Sequence, residues 1–174
     1  MNRQSKAQKK IVISSGTKQF SLSGLRKLCG RWKKEGLVVG LTNGCFDLLH
    51  RGHVTYLEKA RGHCDKLIVA VNSDSSVKAL DKGPNRPLNT ETDRSYVLGG
   101  LACVDATVVF SEPTVTKVIT AICPDLYFKG GDYTLATLDP DEKNAVLSGG
   151  GKIKLIPLVP GKSTTNLVKK MRGK

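Results

Sequence analysis

Aromatic residues are scarce in this chain, at 5% with a single Trp, and few of them fall in its basic stretches. No nucleic-acid reader motif accompanies them, which leaves a basic nucleic-acid-binding domain the less favoured of the readings its charge invites. Acidic residues are also few, 15 against 28 Lys and Arg, giving a formal charge of +13. The resulting positive surface draws anionic partners such as nucleotides, sugar phosphates or nucleic acid without choosing among them. No apolar run comes near the roughly 20 residues that a membrane-spanning helix needs. The polar start, Met1 to Lys10, lacks the apolar stretch of a secretory signal. A cytoplasmic protein with no membrane partner is expected. The five cysteines (Cys29, Cys45, Cys64, Cys103, Cys123) include no C-x-x-C pair, so buried reduced thiols are expected instead of zinc or redox chemistry. Internal repeats are lacking too.

What is present fits one ordinary domain. Hydrophobic residues make up 39% and charged residues 25% of 174, enough to bury a core without disulfides or a structural metal. Residues 1–19 are rich in Lys, Gln and Ser and read as a flexible basic arm, with residues 20–174 forming the domain. From Ser21 to Glu35, Leu22, Leu25, Leu28 and Trp32 recur at helical spacing, as in an amphipathic helix laid on a core. Beyond Gly36, apolar runs predict strands at Leu37 to Thr42, Lys66 to Asn72, Ala106 to Phe110, Asp125 to Lys129 and Lys152 to Leu158. Helices are predicted between and after them at His53 to Arg61, Thr90 to Leu101, Pro113 to Ala121, Pro140 to Ser148 and Thr164 to Met171. The alternation predicts an α/β fold with a doubly wound parallel sheet of Rossmann-like type. Ligands in such sheets sit beyond the carboxyl ends of the strands.

The motifs do follow strands. Thr42-Asn43-Gly44-Cys45-Phe46-Asp47 leads into His50-Arg51-Gly52-His53 after the first strand and before a helix. Two histidines three residues apart can face one point, a glycine lets a ligand approach the backbone, and a helix N-terminus adds free N–H groups. Such a clamp suits a phosphate, and imidazole N–H donors stabilise the charge that grows when an oxyanion attacks the α-phosphorus of an NTP. A metal site of His50, His53 and Asp47 is the alternative; no metal ligand is assigned. Lys78 and Lys82 follow the second strand, where ammonium groups can meet phosphate oxygens. Arg86 and Arg94 flank Pro87, and the Arg94 fork suits a sugar phosphate or a structural salt bridge. Lys129-Gly130-Gly131-Asp132-Tyr133 ends the fourth strand, with Asp132 able to accept from a ribose or base. Gly161-Lys162-Ser163-Thr164-Thr165-Asn166 precedes the last helix. Its hydroxyls can cap that helix and bind phosphate, although a Walker A reading fails because Ile156 stands where the first glycine is required.

These blocks resemble the H-x-G-H superfamily of nucleotidyltransferases, and within it the D-glycero-β-D-manno-heptose 1-phosphate adenylyltransferases, over about Phe20 to Met171. The similarity rests on T-N-G-C-F-D-L-L-H, V-A-V-N-S-D, P-D-L-Y-F-K-G-G-D-Y and S-T-T-N in that order. It implies transfer of AMP from ATP, with Mg2+, to a sugar phosphate, and a homodimer. It also implies roles for His50, His53 and Lys82 in catalysis. Nucleotide binding falls to Asn43, Gly44, Cys45, Phe46, His50, Gly52, His53, Lys82, Gly131, Asp132, Ser163, Thr164 and Thr165, and acceptor binding to Asp47, Lys78 and Arg94. Glycerol-3-phosphate cytidylyltransferase and flavin adenylyltransferase are alternatives within the superfamily. Ala102-Cys103 and Pro160-Gly161-Lys162-Ser163 stand where the cytidylyltransferases tend to keep arginines, which argues against CTP.

Overall fold

In a computed structural model, residues 15–171 are described apart from 81–85, 132, 135 and 158. Five parallel strands, β1 (Val39–Gly44), β2 (Lys66–Asn72), β3 (Ala106–Phe110), β4 (Leu126–Gly130) and β5 (Lys152–Ile156), lie in the order β3-β2-β1-β4-β5. The helices are α1 (Leu22–Lys34), α2 (Arg51–Arg61), α3 (Asp74–Ala79), α4 (Glu91–Gly99), α5 (Thr116–Ile122), α6 (Pro140–Ser148) and α7 (Thr164–Met171). The doubly wound α/β expectation therefore holds.

Strand β2 shows why. Its side chains alternate between two cores, Leu67, Val69 and Val71 on one face and Ile68 and Ala70 on the other, all fully buried. A strand covered on both faces needs an unbroken apolar run, and period-2 geometry divides that run between the layers. On the first face the β2 residues meet α2 and α4 through Leu57 and Leu98. On the second they meet α1 and α5 through Leu25 and Ile119. Strand β1 needs Gly40, because a Cβ there would come within 2.6 Å of the Phe128 ring and 2.7 Å of Cys64 Sγ. Edge strand β5 is largely exposed and carries Lys152 and Lys154, charges that discourage pairing with another sheet.

Carboxylates fasten the starts of the strands. Asp65 accepts from the Val38 N–H, Asp125 from Val39 and Asp105 from Leu67. Asp105 also pairs with Arg61 and Lys66. This leaves the opposite, carboxyl edge of the sheet to the histidine- and lysine-bearing loops.

Some expectations shift. Residues 15–19, read from the sequence as the end of the flexible arm, pack on the domain: Ser15–Lys18 form a 3-10 turn and Gln19 bridges Thr107 at the β3 edge. The Lys18 ammonium donates to the Leu101 and Val104 carbonyls. Residues 1–14 lie outside the described residues. Helix α2 begins two residues before the predicted His53, helix α5 starts later than Pro113, and β5 ends at Ile156. Helix α3, with its Ser73 cap, was not predicted. Among the described residues, no helix is long and apolar enough to cross a membrane.

Candidate active site

Strand order reverses between β1 and β4, since the chain runs outward through β2 and β3 and then returns to the other side of β1. The loops at such a switch diverge and open a crevice. Two adjoining clefts lie there, of about 450 Å3 and 470 Å3, with Cys45, Phe46 and His53 forming their common wall.

The wall is shaped by the loop after β1. Phe46 adopts φ 47°, a left-handed conformation that costs a non-glycine residue about 1–2 kcal/mol. Its ring meets that of His53 edge-on, with centroids 5.2 Å apart. His50 caps α2 through its carbonyl, which accepts from the His53 N–H. The two imidazoles stack at 3.9 Å and 16°. Gly52 makes room for them: a Cβ there would approach His50 Cε1 to 2.9 Å and Lys162 Cβ to 3.0 Å.

Three of the four ring nitrogens are not spent on the scaffold. Both nitrogens of His50 and Nδ1 of His53 are buried without a hydrogen-bond partner among the described residues. Burial, and next the adjacent His50, push the His53 pKa down to about 4, against a hydrogen bond to the Leu48 backbone. Burial and then Lys162 lower His50 as well. Both rings are therefore neutral near pH 7, and each carries one N–H.

The first cleft is also lined by Asp47, Arg86, Lys162, Ser163, Thr164 and Thr165. Ser163 Oγ accepts from the Asn166 N–H at the start of α7, and Thr164 Oγ1 donates to the Leu48 carbonyl. Two helix N-termini, those of α2 and α7, thus face one cavity with hydroxyls, a lysine and neutral imidazoles around it. That is an anion site on physical grounds.

Of the three residues expected to bind the acceptor, Asp47 lines the first cleft, whereas Arg94 and Lys78 line neither. Arg94 is 2% exposed, and its guanidinium donates to the carbonyls of Asn89, Cys45 and Asn72 and to Asp74. Its fork is consumed in holding the loop after β1 to the ends of β2 and α4, so it supports the site from below. Asp47 is similarly committed. One oxygen accepts from Arg86 and the other from the Leu88 and Asn89 N–H groups. Burial alone would raise its carboxyl, but Arg86 and those N–H groups outweigh burial and hold it below the usual carboxylate range. Lys78 is exposed on α3 and lines neither cleft. Lys82 and Asp132 lie outside the described residues, and Gly131, at φ 83°, turns the chain after β4. Asn43, Gly44, Cys45, Phe46, Gly52, Ser163, Thr164 and Thr165 all line one or both clefts with the histidines.

The second cleft holds residues the sequence did not single out. Lys129 at the end of β4 pairs with Glu142 of α6 at 2.8 Å, with side-chain exposures of 10% and 6%. The Tyr127 hydroxyl lies 2.8 Å from that same carboxylate oxygen and 2.8 Å from Asn43 Oδ1. Lys129 had a signal as the first residue of its glycine motif. Glu142 had none, being one of several charges on a polar-looking helix.

The cytidylyltransferase-like family model matches residues 41–159. The chain belongs to that family. The match takes in most of β1, all of β2 to β5 and the whole lining of the second cleft, and stops short of Lys162 to Thr165 in the first, in keeping with the H-x-G-H nucleotidyltransferase resemblance read from the sequence. The chain is 53% identical over 162 residues to the bifunctional protein HldE of Granulibacter bethesdensis and 49% identical over 151 residues to that of Mesorhizobium japonicum. These alignments cover 92% and 87% of this chain but 33% and 30% of the relatives, so the chain spans about a third of their length. A solved lipopolysaccharide core biosynthesis protein from Thermoplasma volcanium superposes with a TM-score of 0.59 at 26% identity, covering 71% of this chain and 98% of that one. A pantoate-beta-alanine ligase from Francisella tularensis, 14% identical with a TM-score of 0.54, covers 88% of this chain and 78% of its own and shares the fold.

Proposed function

We propose that the chain transfers AMP from ATP to D-glycero-β-D-manno-heptose 1-phosphate, giving ADP-heptose and pyrophosphate, as a cytoplasmic homodimer. The observation that carries the chemistry is the stacked pair of neutral imidazoles, three of whose ring nitrogens lack a partner among the described residues, with His50 in the first cleft and His53 on the wall common to both. The blocks resembling heptose 1-phosphate adenylyltransferases and the HldE relatives support the choice of substrates.

On this reading the α-phosphorus sits against His50 and His53, with the triphosphate in the first cleft. A phosphate oxygen of the acceptor forms a bond to that phosphorus, while the bond from phosphorus to the bridging oxygen breaks and pyrophosphate leaves with the electron pair. The imidazole N–H groups donate to α-phosphate oxygens as their charge grows, and they are worth most in a site from which water is excluded. Lys162, Lys82, Ser163, Thr164 and Thr165 hold the phosphates, and Gly131 with Asp132 meets the nucleoside. No proton has to be moved, because the attacking oxygen is already anionic at neutral pH. Positioning and charge stabilisation therefore carry the rate.

A magnesium ion bound with ATP would supply charge neutralisation on the phosphates, leaving Lys162, Ser163, Thr164 and Thr165 to position them. The two carboxylates lining the clefts are engaged by Arg86 and Lys129, and no group of three His, Cys, Asp or Glu is assembled to hold an ion among the described residues.

The test is pyrophosphate release with Mg2+, crossing ATP and CTP against heptose 1-phosphate, glycerol 3-phosphate and FMN. Turnover confined to ATP with heptose 1-phosphate is expected, and His53→Ala should lower kcat by at least about a hundredfold. Turnover only with CTP and glycerol 3-phosphate, or only with ATP and FMN, would replace the substrates. Near wild-type turnover by His53→Ala would overturn the mechanism.

A further inference from the structure

The two clefts differ in chemistry. The first offers N–H groups, hydroxyls and Lys162, all suited to phosphate. In the second, the Lys129 ammonium is matched by Glu142 at 2.8 Å, so the pair is neutral as a unit, and a phosphate placed there would face a carboxylate. Sugar hydroxyls suit such a pair, since each can donate to the carboxylate and accept from the ammonium. Asn43 and Asn72 line the same cleft and add further amide donors and acceptors. Tyr133, 47% exposed at the rim, offers a ring face, with Lys129 Nζ 5.1 Å from its centroid.

The pair is also held rigidly. Glu142 Oε1 accepts from the Val115 N–H, and Oε2 receives both the Tyr127 hydroxyl and Lys129. Lys129 Nζ lies over the Tyr127 ring at 5.2 Å as well. Three segments, the end of β4, the start of α5 and helix α6, thereby converge on one ion pair, and the Tyr127 hydroxyl links it to Asn43 at the end of β1. A buried ion pair is weak support for stability, because hydrophobic residues usually do as well. Lining a cleft gives this one a use that packing would not.

We infer that the second cleft is a polyol subsite, in which the Lys129–Glu142 pair binds hydroxyls of the acceptor sugar and Tyr133 packs against the sugar. The inference rests on the proposed transfer to a sugar phosphate. The triphosphate and the acceptor sugar then occupy separate clefts that meet at His53, and Lys129, Glu142 and Tyr133 determine acceptor specificity without touching the α-phosphorus.

The experiment compares steady-state constants for MgATP and heptose 1-phosphate in the wild type, in Lys129→Met/Glu142→Gln and in Tyr133→Ala, with Tyr133→Phe as the conservative control. Removing both charges avoids leaving one buried ion unpaired, the costly outcome. Tyr133 is exposed enough that its truncation spares the fold. The expected result is an acceptor KM raised at least about tenfold in the double variant and severalfold in Tyr133→Ala, restored in Tyr133→Phe, with the KM for ATP within about twofold throughout. An unchanged acceptor KM in both Tyr133→Ala and the double variant would overturn the inference. A raised KM for ATP alone would also overturn it, by assigning the cleft to the nucleoside. Should the double variant not fold, Tyr133→Ala against Tyr133→Phe decides. Wild-type turnover with glycerol 3-phosphate or FMN in place of heptose 1-phosphate would sink heptose 1-phosphate as the acceptor. The same variants would then be read with that acceptor, so the two failures stay distinct.

Discussion

Arg94→Met is the substitution that best separates a ligand-binding arginine from a scaffold arginine. The side chain is 0% exposed and satisfies three carbonyls and one carboxylate. Methionine fills a similar volume but donates nothing. Each lost hydrogen bond from a charged donor is worth about 1.5–3 kcal/mol, yet the losses do not simply add. Asp74 is 33% exposed and regains water, and the Cys45 carbonyl borders a cleft. The total should therefore approach that for breaking one buried ion pair, about 3–5 kcal/mol. With a urea slope of about 2 kcal/mol per molar, the unfolding midpoint falls by about 1.5–2.5 M at unchanged slope. Arg94→Lys, which keeps the charge and loses the fork, should fall between. Urea unfolding followed by circular dichroism, with acceptor and ATP KM measured on the folded fraction, gives the answer. A midpoint within 0.3 M of wild type, roughly the uncertainty of such curves, together with a raised acceptor KM alone would refute the scaffold assignment and return Arg94 to the substrate.

Gly52→Ala should keep the fold and lower kcat at least about tenfold, because the added methyl pushes on the His50 ring at 2.9 Å and misplaced donors lose transition-state contact; wild-type kcat would show that the ring adapts freely. His50→Leu should abolish turnover while raising stability by about 1 kcal/mol, since two buried ring nitrogens without partners are replaced by an apolar group; a lowered melting temperature would contradict this. His53 sets an acid dependence. Its folded pKa of about 4 lies below the ordinary 6.5, so the unfolded chain binds the proton first, and up to about 3 kcal/mol of stability present above pH 6.5 is lost as pH falls toward 4. His53→Asn should flatten that slope, with the remainder due to His50; an equally steep slope would rule His53 out as its source.

The strands were legible because burial on both faces leaves no room for polar residues, and Lys66 to Asn72 was bounded correctly on that ground alone. The location of the site followed from the rule that loops at strand ends bind ligands, which gathered His50, His53, Ser163, Thr164 and Thr165 into one cleft although about 110 residues separate the blocks. Helix α3 escaped because six mostly polar residues give no period to read. The scaffold contacts of Asp47 and Arg94 were hidden for a different reason. The charged residues that bind ligands are also the ones that tie buried loops together, and only tertiary structure shows where their hydrogen bonds go. Glu142 is the converse case: nothing in Pro140–Ser148 distinguishes it from Asp141 or Lys143 until β4 places Lys129 beside it.

Those scaffold residues explain how three imidazole nitrogens remain without partners among the described residues. A loop with Phe46 in a left-handed conformation and three buried ring nitrogens lacking acceptors or donors is unfavourable by itself. Arg94 grips the Cys45 carbonyl, and Arg86, Leu88 and Asn89 grip the Asp47 carboxylate. The strongest polar interactions near the site thus lie one layer beneath it, where they offset the cost of holding the rings ready. Donors fixed in this way need no reorganisation when charge develops. The wall they support is common to both clefts, so a phosphorus resting on it can be approached from one cavity while its leaving group departs into the other. In-line displacement needs entry and departure on opposite sides of the phosphorus, for which one pocket gives less room than two adjoining clefts.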